Sequence, residues 1–208
     1  AFAAALARHG ATWFSQVPTM HQALVDHVRH APDAIAGHRL RFVCTSSGQV
    51  SMRLIKEIER TFGVPCIDRY GTTECTGPVA WEPFDPAERR YGSVGRGAPG
   101  TIGIFSETGD RLRANEKGEI AVCDPHVVRA YLNDDEASRA CFRDGWYHTG
   151  DLGYLDEQGN LFLCGRLQDL VNRGGAKIAP AEVDAILCDH PAVAHAASFG
   201  VPHPTLGE

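Results

Sequence analysis

The sequence predicts an α/β fold with mixed α+β subdomains, and three observations carry that prediction. Apolar residues recur at helical spacing in two segments that alternate with short, β-rich runs. Beyond residue 90 the pattern changes to strands punctuated by Gly, Asp and Asn. The last forty residues return to a helix and a strand. Residues 1–90 therefore read as an α/β part with a parallel sheet, 91–168 as a small β-rich part, and 169–208 as a closing α+β segment.

Ala1-Phe2-Ala3-Ala4-Ala5-Leu6-Ala7 reads as a helix interior, because it lacks a basic leader and runs into Arg8-His9. From Pro18 to His30, Met20, Leu24 and Val28 recur every four residues and form one helical stripe. His27 and His30 lie on that helix without a third ligand, so a solvated or capping role is expected. Leu40–Thr45 reads as a strand, Ser46-Ser47-Gly48-Gln49 as a loop, and Val50, Leu54, Ile58 and Phe62 as the face of a second helix. Val64–Ile67 is the next strand. The strand, helix, strand order favours a right-handed parallel crossover, which brings the Ser46 loop and the residues after Ile67 to one sheet edge.

Those later residues, Tyr70-Gly71-Thr72-Thr73-Glu74, are expected on a loop at the strand's carboxyl end, where open α/β sheets hold ligands. They offer an aromatic face for a base, a Gly that permits close backbone approach, two hydroxyls for phosphate oxygens and a carboxylate for a hard cation. That set suits a nucleoside triphosphate with Mg2+. Residues 82–100, rich in Pro, Gly and charge, read as a linker. Strands are expected at Thr101–Ser106 and Glu119–Cys123, and a hairpin from Trp146–Leu155 and Leu161–Gly165 carries Asp151. Gly174-Gly175 reads as a flexible loop, and Pro180 opens a helix with Val183, Ile186 and Leu187 on its inner face. Val193–Phe199 is the last expected strand.

Composition narrows the function. The 208 residues are 43% hydrophobic and 22% charged, as in an ordinary globular protein. A formal charge of -6 without a basic run argues against nucleic acid as a partner. Seven Cys residues form no C-x-x-C pair, which points to reduced thiols in a cytoplasmic protein rather than disulfides or zinc. No apolar run reaches the length of a membrane span. The first residue is not Met and the last are Leu206-Gly207-Glu208, so a piece of a longer chain is expected.

Two further motifs, His148-Thr149-Gly150-Asp151 and Gly165-Arg166-Leu167-Gln168-Asp169, follow Tyr70–Glu74 in order. From about Thr12 to Glu208 the chain resembles the acyl-adenylate-forming enzymes, which include acyl-CoA synthetases and peptide-synthetase adenylation domains. The resemblance implies that residues 1–90 end the adenylate-binding subdomain and that 169–208 begin a mobile C-terminal domain, with Asp169 as its hinge. It implies ATP, Mg2+ and CoA as cofactors and a small-molecule carboxylic acid as substrate, with fatty-acid metabolism one expected setting. Gly48 and Gln49, where the family usually has Ala-Pro, would wall the adenine pocket. Asp68 would accept from the exocyclic amine, Tyr70 would stack on adenine, and Gly71 and Thr72 would line the nucleotide. Thr73 would donate to the α-phosphate and Glu74 would hold Mg2+; these two are the candidate catalytic residues. Asp151 would accept from the ribose hydroxyls, Leu163 would be an apolar wall, and Arg166 would complete the ribose and phosphate contacts. Gly174 and Gly175 would let backbone pass the pantetheine of CoA, while Gln168 replaces a frequent Lys.

Thr72 in the first motif, together with Asn172-Arg173-Gly174-Gly175 and Ile178-Ala179-Pro180, looks like the CoA-ligase branch, most of all its oxalate-CoA ligase group. The resemblance places the family's phosphate loop upstream of Ala1 and its adenylation Lys downstream of Glu208. Two rivals stay open: an adenylation domain that loads a carrier protein, and a nucleotide-binding module without catalysis.

Overall fold

The computed structural model describes residues 2–48, 50–188, 190, 192–193 and 196–208. The chain divides into two compact units, one of residues 1–73 with 77–96, the other of 74–76 with 97–208. Both mix helices with sheet.

In the first unit, helix α1 (Phe2–Arg8) precedes strand β1 (Trp13–Gln16), which no sequence pattern marked because it is only four residues long. Helix α2 (Pro18–His30) follows with the expected bounds. Its inward stripe is His21, Leu24, Val25 and Val28, whereas Met20 is 54% exposed. His21 takes the inner place because its Nε2 reaches the Cys44 carbonyl at 3.0 Å, and burial lowers its pKa, keeping the ring neutral. His30 caps the Asp26 carbonyl at 2.8 Å, as a helix-end His can. Strand β2 (Phe42–Thr45) leads to α3 (Met52–Phe62), which begins where Ser51 Oγ accepts the Leu54 N–H and ends at left-handed Gly63. Val50 lies before the helix but still packs on the core of Leu54, Ile58, Phe62, Val43 and Leu24.

Strand β3 (Cys66–Thr72) pairs parallel with β2, and β2 with β1, as the crossover expectation requires. One expectation fails here. Tyr70, Gly71 and Thr72 are not loop residues; β3 runs on through them because strand β4 (Gly77–Trp81) folds back beside it antiparallel. Only Thr73–Thr76 form the turn. The presumed linker, 82–100, likewise contains β5 (Ser93–Arg96), which pairs with β4 and was masked in the sequence by Pro and Gly.

That pairing explains Gly71. A Cβ there would lie 2.2 Å from the Gly77 carbonyl oxygen and 2.6 Å from Pro78 Cα, both backbone atoms. Gly71→Ala is therefore expected to destabilise the fold by about 2–3 kcal/mol, the size of a core overpacking. Urea unfolding of the variant checks this, and an unchanged midpoint would contradict the close approach.

The second unit is a β-rich body. Strands β6 (Ile102–Phe105) and β7 (Gly118–Val122), both near their expected bounds, pair antiparallel. Helix α4 (Asp135–Cys141), capped by Asp134 Oδ1 on the Ala137 N–H at 2.9 Å, went unread because its surface is polar. Strands β8 (Phe142–Arg143), β9 (Trp146–Leu155) and β10 (Asn160–Arg166) then form an antiparallel array in the order β10, β9, β7, β6, with β8 also on β9. Strands β11 (Val171–Arg173) and β12 (Ala176–Ile178) make a separate hairpin.

The hairpin corrects a second expectation. Gly174 and Gly175 are not a slack loop but its two-residue turn, with φ of 60° and 92°. Tight hairpins of this hand need positive φ at both positions, which Gly supplies. Helix α5 (Pro180–Cys188) starts at Pro180 as expected, but its supposed inner residues Ile186 and Leu187 are 73% and 46% exposed. The expected strand Val193–Phe199 includes Ala194 and His195, outside the described residues, and its described members pair with no strand. No helix among the described residues is long and apolar enough to cross a membrane.

Candidate functional site

In the first unit one register row of polar residues crosses the three parallel strands. Gln16, Thr45 and Asp68 are register partners across β1, β2 and β3; Gln16 and Thr45 close their strands, whereas β3 runs on from Asp68 to Thr72. Gln16 Oε1 and Thr45 Oγ1 are buried without a hydrogen-bond partner. Buried polar atoms are rarely left so. Sequence reading had passed over both residues, although a polar residue closing each apolar strand was a visible signal. Gly48 lies in the loop after β2, and a Cβ there would make ordinary contact with Pro18. Gln49, expected beside it, lies outside the described residues.

Asp68 is 8% exposed. Burial pushes its pKa from the ordinary 3.8 up to about 7, opposed by the Arg69 N–H on Oδ1 at 2.8 Å and aided by the neighbouring Glu82. Glu82 is itself buried; its Oε2 takes the Asp68 N–H at 2.8 Å, and burial raises its pKa too. A carboxyl whose folded pKa lies above its unfolded one stabilises the fold most below the unfolded value. That stability is lost as pH rises from 3.8 to about 7. The loss is roughly 4 kcal/mol for such a span. Asp68→Asn is expected to flatten the curve across that window, which urea unfolding at pH 5 and pH 8 would measure. Tyr70 lies two residues on, on the same face, and is only 7% exposed. Thr72 closes the strand and Thr73 opens the exposed turn.

Glu74 belongs to the second unit, where the segment ahead of α4 holds it. Tyr131 Oη donates to Glu74 Oε1 at 2.7 Å, and the Glu74 carbonyl takes the Val128 N–H at 2.8 Å. Thr76 Oγ1 reaches the His126 carbonyl at 3.2 Å. Burial, then the Glu74 hydrogen bond, raises the Tyr131 pKa above the ordinary tyrosine range, so the hydroxyl remains a donor. Tyr131 had no sequence signal, being 57 residues from its partner.

His148-Thr149-Gly150-Asp151 runs along β9 and is pinned from β7. Glu119 Oε1 takes the Gly150 N–H at 3.2 Å, and Oε2 lies 2.8 Å from His148 Nδ1 and 3.1 Å from Arg143 Nη2. Thr149 Oγ1 donates to the Ile120 carbonyl and accepts the Asp151 N–H. Asp151 is 8% exposed and meets Arg166 Nε at 3.2 Å. A bulge at Cys164 sets this pairing, because the extra residue shifts β10 so that Arg166, not Gly165, faces Asp151. Leu163 pairs with Gly153 further along. Asp169 ends the 3-10 turn after Arg166, and Gly174 and Gly175 cap the separate hairpin.

The donor set fits Mg2+ in a limited sense. Glu74 is a hard oxygen donor, and no cluster of three possible ligands occurs among the described residues. Mg2+ is commonly held by one or two carboxylates, with waters and substrate phosphates completing the shell.

Comparison with known proteins follows this geometry. The profile of the family described as AMP-binding enzyme matches residues 1–132. The oxalate–CoA ligase of Arabidopsis thaliana is 39% identical over 203 residues, covering 97% of this chain and 39% of that protein. The sulfoacetate–CoA ligase of Cupriavidus necator is 35% identical over 97% of this chain and 39% of its own length. The O-succinylbenzoate coenzyme A synthetase of Bacillus subtilis, solved with ATP and a magnesium ion, superposes with a TM-score of 0.82. It is 33% identical over 97% of this chain and 41% of that one. The chain thus spans about two fifths of the relatives it matches. None of these names is that of a fatty-acid ligase, so the expected fatty-acid setting finds no support.

Proposed function

Because the chain belongs to the AMP-binding enzymes of the acyl-adenylate-forming superfamily, we propose that it forms part of an acid–CoA ligase. In that reaction a carboxylate attacks the α-phosphate of ATP, pyrophosphate leaves, and the acyl-adenylate passes its acyl group to the thiol of CoA. The observation that supports this reading is the register row of Gln16, Thr45 and Asp68 across three parallel strands, in which Gln16 Oε1 and Thr45 Oγ1, at the carboxyl ends of β1 and β2, are buried without a hydrogen-bond partner, two residues ahead of Tyr70 along β3. Such strand ends are where open α/β sheets bind nucleotides. The relatives act on oxalate, sulfoacetate and O-succinylbenzoate by name, and a small-molecule carboxylic acid is the substrate class carried over.

In this reading Asp68 accepts from the adenine amine, and the Tyr70 ring, with Gly48, Gln49, Gly71 and Thr72, borders the nucleoside. Thr73 donates to the α-phosphate. Glu74, held by Tyr131, would hold Mg2+, which neutralises phosphate charge when bound. Asp151 accepts from the ribose hydroxyls, as an ionised carboxylate with acceptors only, while Arg166 orients it and Leu163 lies alongside. Asp169 serves as a hinge and Gly174-Gly175 as the turn along which pantetheine passes. A cytoplasmic location accompanies the supply of ATP and CoA.

The test is product analysis of the full-length protein with ATP, Mg2+, CoA and a panel of carboxylic acids. Acyl-CoA, AMP and pyrophosphate in equal amounts support the ligase. Acylation of a carrier protein in place of CoA would move the assignment to an adenylation domain, and AMP binding without turnover to a nucleotide-binding module.

A further inference from the structure

The stretch of β9 that carries Asp151 is not a plain strand. Where β7 pairs with β9, the register steps from Glu119 opposite Leu152 to Ala121 opposite His148, so Ile120 alone spans Thr149, Gly150 and Asp151. A bulge of this size bends the strand and takes its backbone groups out of the ladder. Gly150 makes the bend, with φ of 72°, and a Cβ there would meet nothing within 4 Å, so conformation rather than space calls for Gly. On the other side of β9, Asp151 lies opposite Arg166 of β10.

Side chains replace the ladder inside the bulge. Thr149 Oγ1 donates to the Ile120 carbonyl at 2.8 Å and accepts the Asp151 N–H at 3.0 Å. The Gly150 N–H donates to Glu119 Oε1 at 3.2 Å, while Glu119 Oε2 lies 2.8 Å from His148 Nδ1 and 3.1 Å from Arg143 Nη2. One mostly buried carboxylate thus faces three donors: the bulge itself, the buried imidazole just before it and a half-exposed guanidinium on β8. The Phe105 ring, 5.3 Å from that imidazole, closes the far side. A carboxylate has acceptors only and serves all three, whereas an amide has one acceptor oxygen and turns N–H groups toward the remaining donors. The strands already pair on both sides of the bulge, so they are joined without Glu119. What Glu119 adds is a fixed Gly150, the residue that sets where Asp151 points.

We infer that Glu119 is a positioning residue for nucleotide binding: through Gly150 it fixes the bulge from which Asp151 reaches the ribose hydroxyls, and His148 and Arg143 hold Glu119 in place. The inference rests on the ligase reading, in which Asp151 accepts from ribose, and adds a residue that acts through Asp151 alone.

The test titrates AMP and 2′,3′-dideoxy-AMP, which lacks both ribose hydroxyls, into the full-length protein by calorimetry. Wild type binds AMP about a hundredfold more tightly than the dideoxy nucleotide. Glu119→Gln, of nearly the same shape, shrinks that preference about tenfold by weakening AMP and leaving dideoxy-AMP almost unchanged. In an Asp151→Ala background the same change weakens AMP less than twofold, because the two residues act in series. Equal weakening of both nucleotides, or losses that add, overturns the inference, since a merely structural Glu would disturb the whole site alike. Should Glu119→Gln fail to fold, Arg143→Met, at the half-exposed end of the network, shrinks the preference about two- to threefold, and an unchanged preference there overturns the inference. Wild type that binds both nucleotides equally, or neither, removes Asp151 from the ribose and takes the ligase site and the inference down together. A wild-type preference that Glu119→Gln retains in full removes Glu119 alone.

Discussion

In the ligase reading, Glu74→Ala is expected to lower the rate of acyl-adenylate formation in the full-length protein by about a thousandfold, because the metal would lose its carboxylate and the phosphate charge its counter-ion. A change of that size equals roughly 4 kcal/mol of transition-state stabilisation, within the range of metal-ion catalysis. Tyr131→Phe gives a graded result. It removes one neutral hydrogen bond to Glu74 Oε1 and should reduce the rate about two- to tenfold. The pair is measured as acid-dependent pyrophosphate exchange across a Mg2+ titration. Raised Mg2+ should recover part of the Tyr131→Phe activity and little of the Glu74→Ala activity. Equal, small losses in both would remove Glu74 from the metal role.

Asp151→Ala is the second large effect, and it falls on binding. In the ligase reading Asp151 accepts two charge-assisted hydrogen bonds from ribose, each worth about 1.5–3 kcal/mol, and their joint loss is expected to weaken AMP by a hundredfold or more. Asp151→Asn keeps the shape and one acceptor, so its loss is intermediate. The fold should tolerate both, since the partner Arg166 has a side chain 58% exposed and returns to water. Calorimetric titration of AMP checks the order of affinities, wild type, then Asn, then Ala.

How far the sequence alone foretold this molecule follows from the range of its interactions. The parallel crossover was legible because α2 and α3 each carry an apolar face at helical spacing and the strands between are short apolar runs. The Trp146–Leu155 strand was legible down to its ends. What was misread depends on partners distant in the chain. Tyr70–Thr72 look like a polar turn until β4 folds back to pair with them, and no local pattern announces that pairing. Glu119 anchors His148 and Gly150 from 29 and 31 residues away, and Tyr131 reaches Glu74 across 57. The Gly174-Gly175 misreading differs in kind: a Gly-Gly pair between short β-prone runs is a hairpin signal, and reading it as mere flexibility ignored the φ that such turns demand. Among the candidate site residues, identity and order were legible, whereas the burial that pushes Asp68 to about 7 emerges only from the folded sheet.

The measurement closest to the central claim is acid-dependent ATP–pyrophosphate exchange by the full-length protein, run with wild type, Glu74→Ala and Asp151→Ala side by side. The ligase account predicts exchange that requires both Mg2+ and a carboxylic acid and that collapses in the two variants. Exchange absent with every acid, or undiminished in both variants, would contradict it.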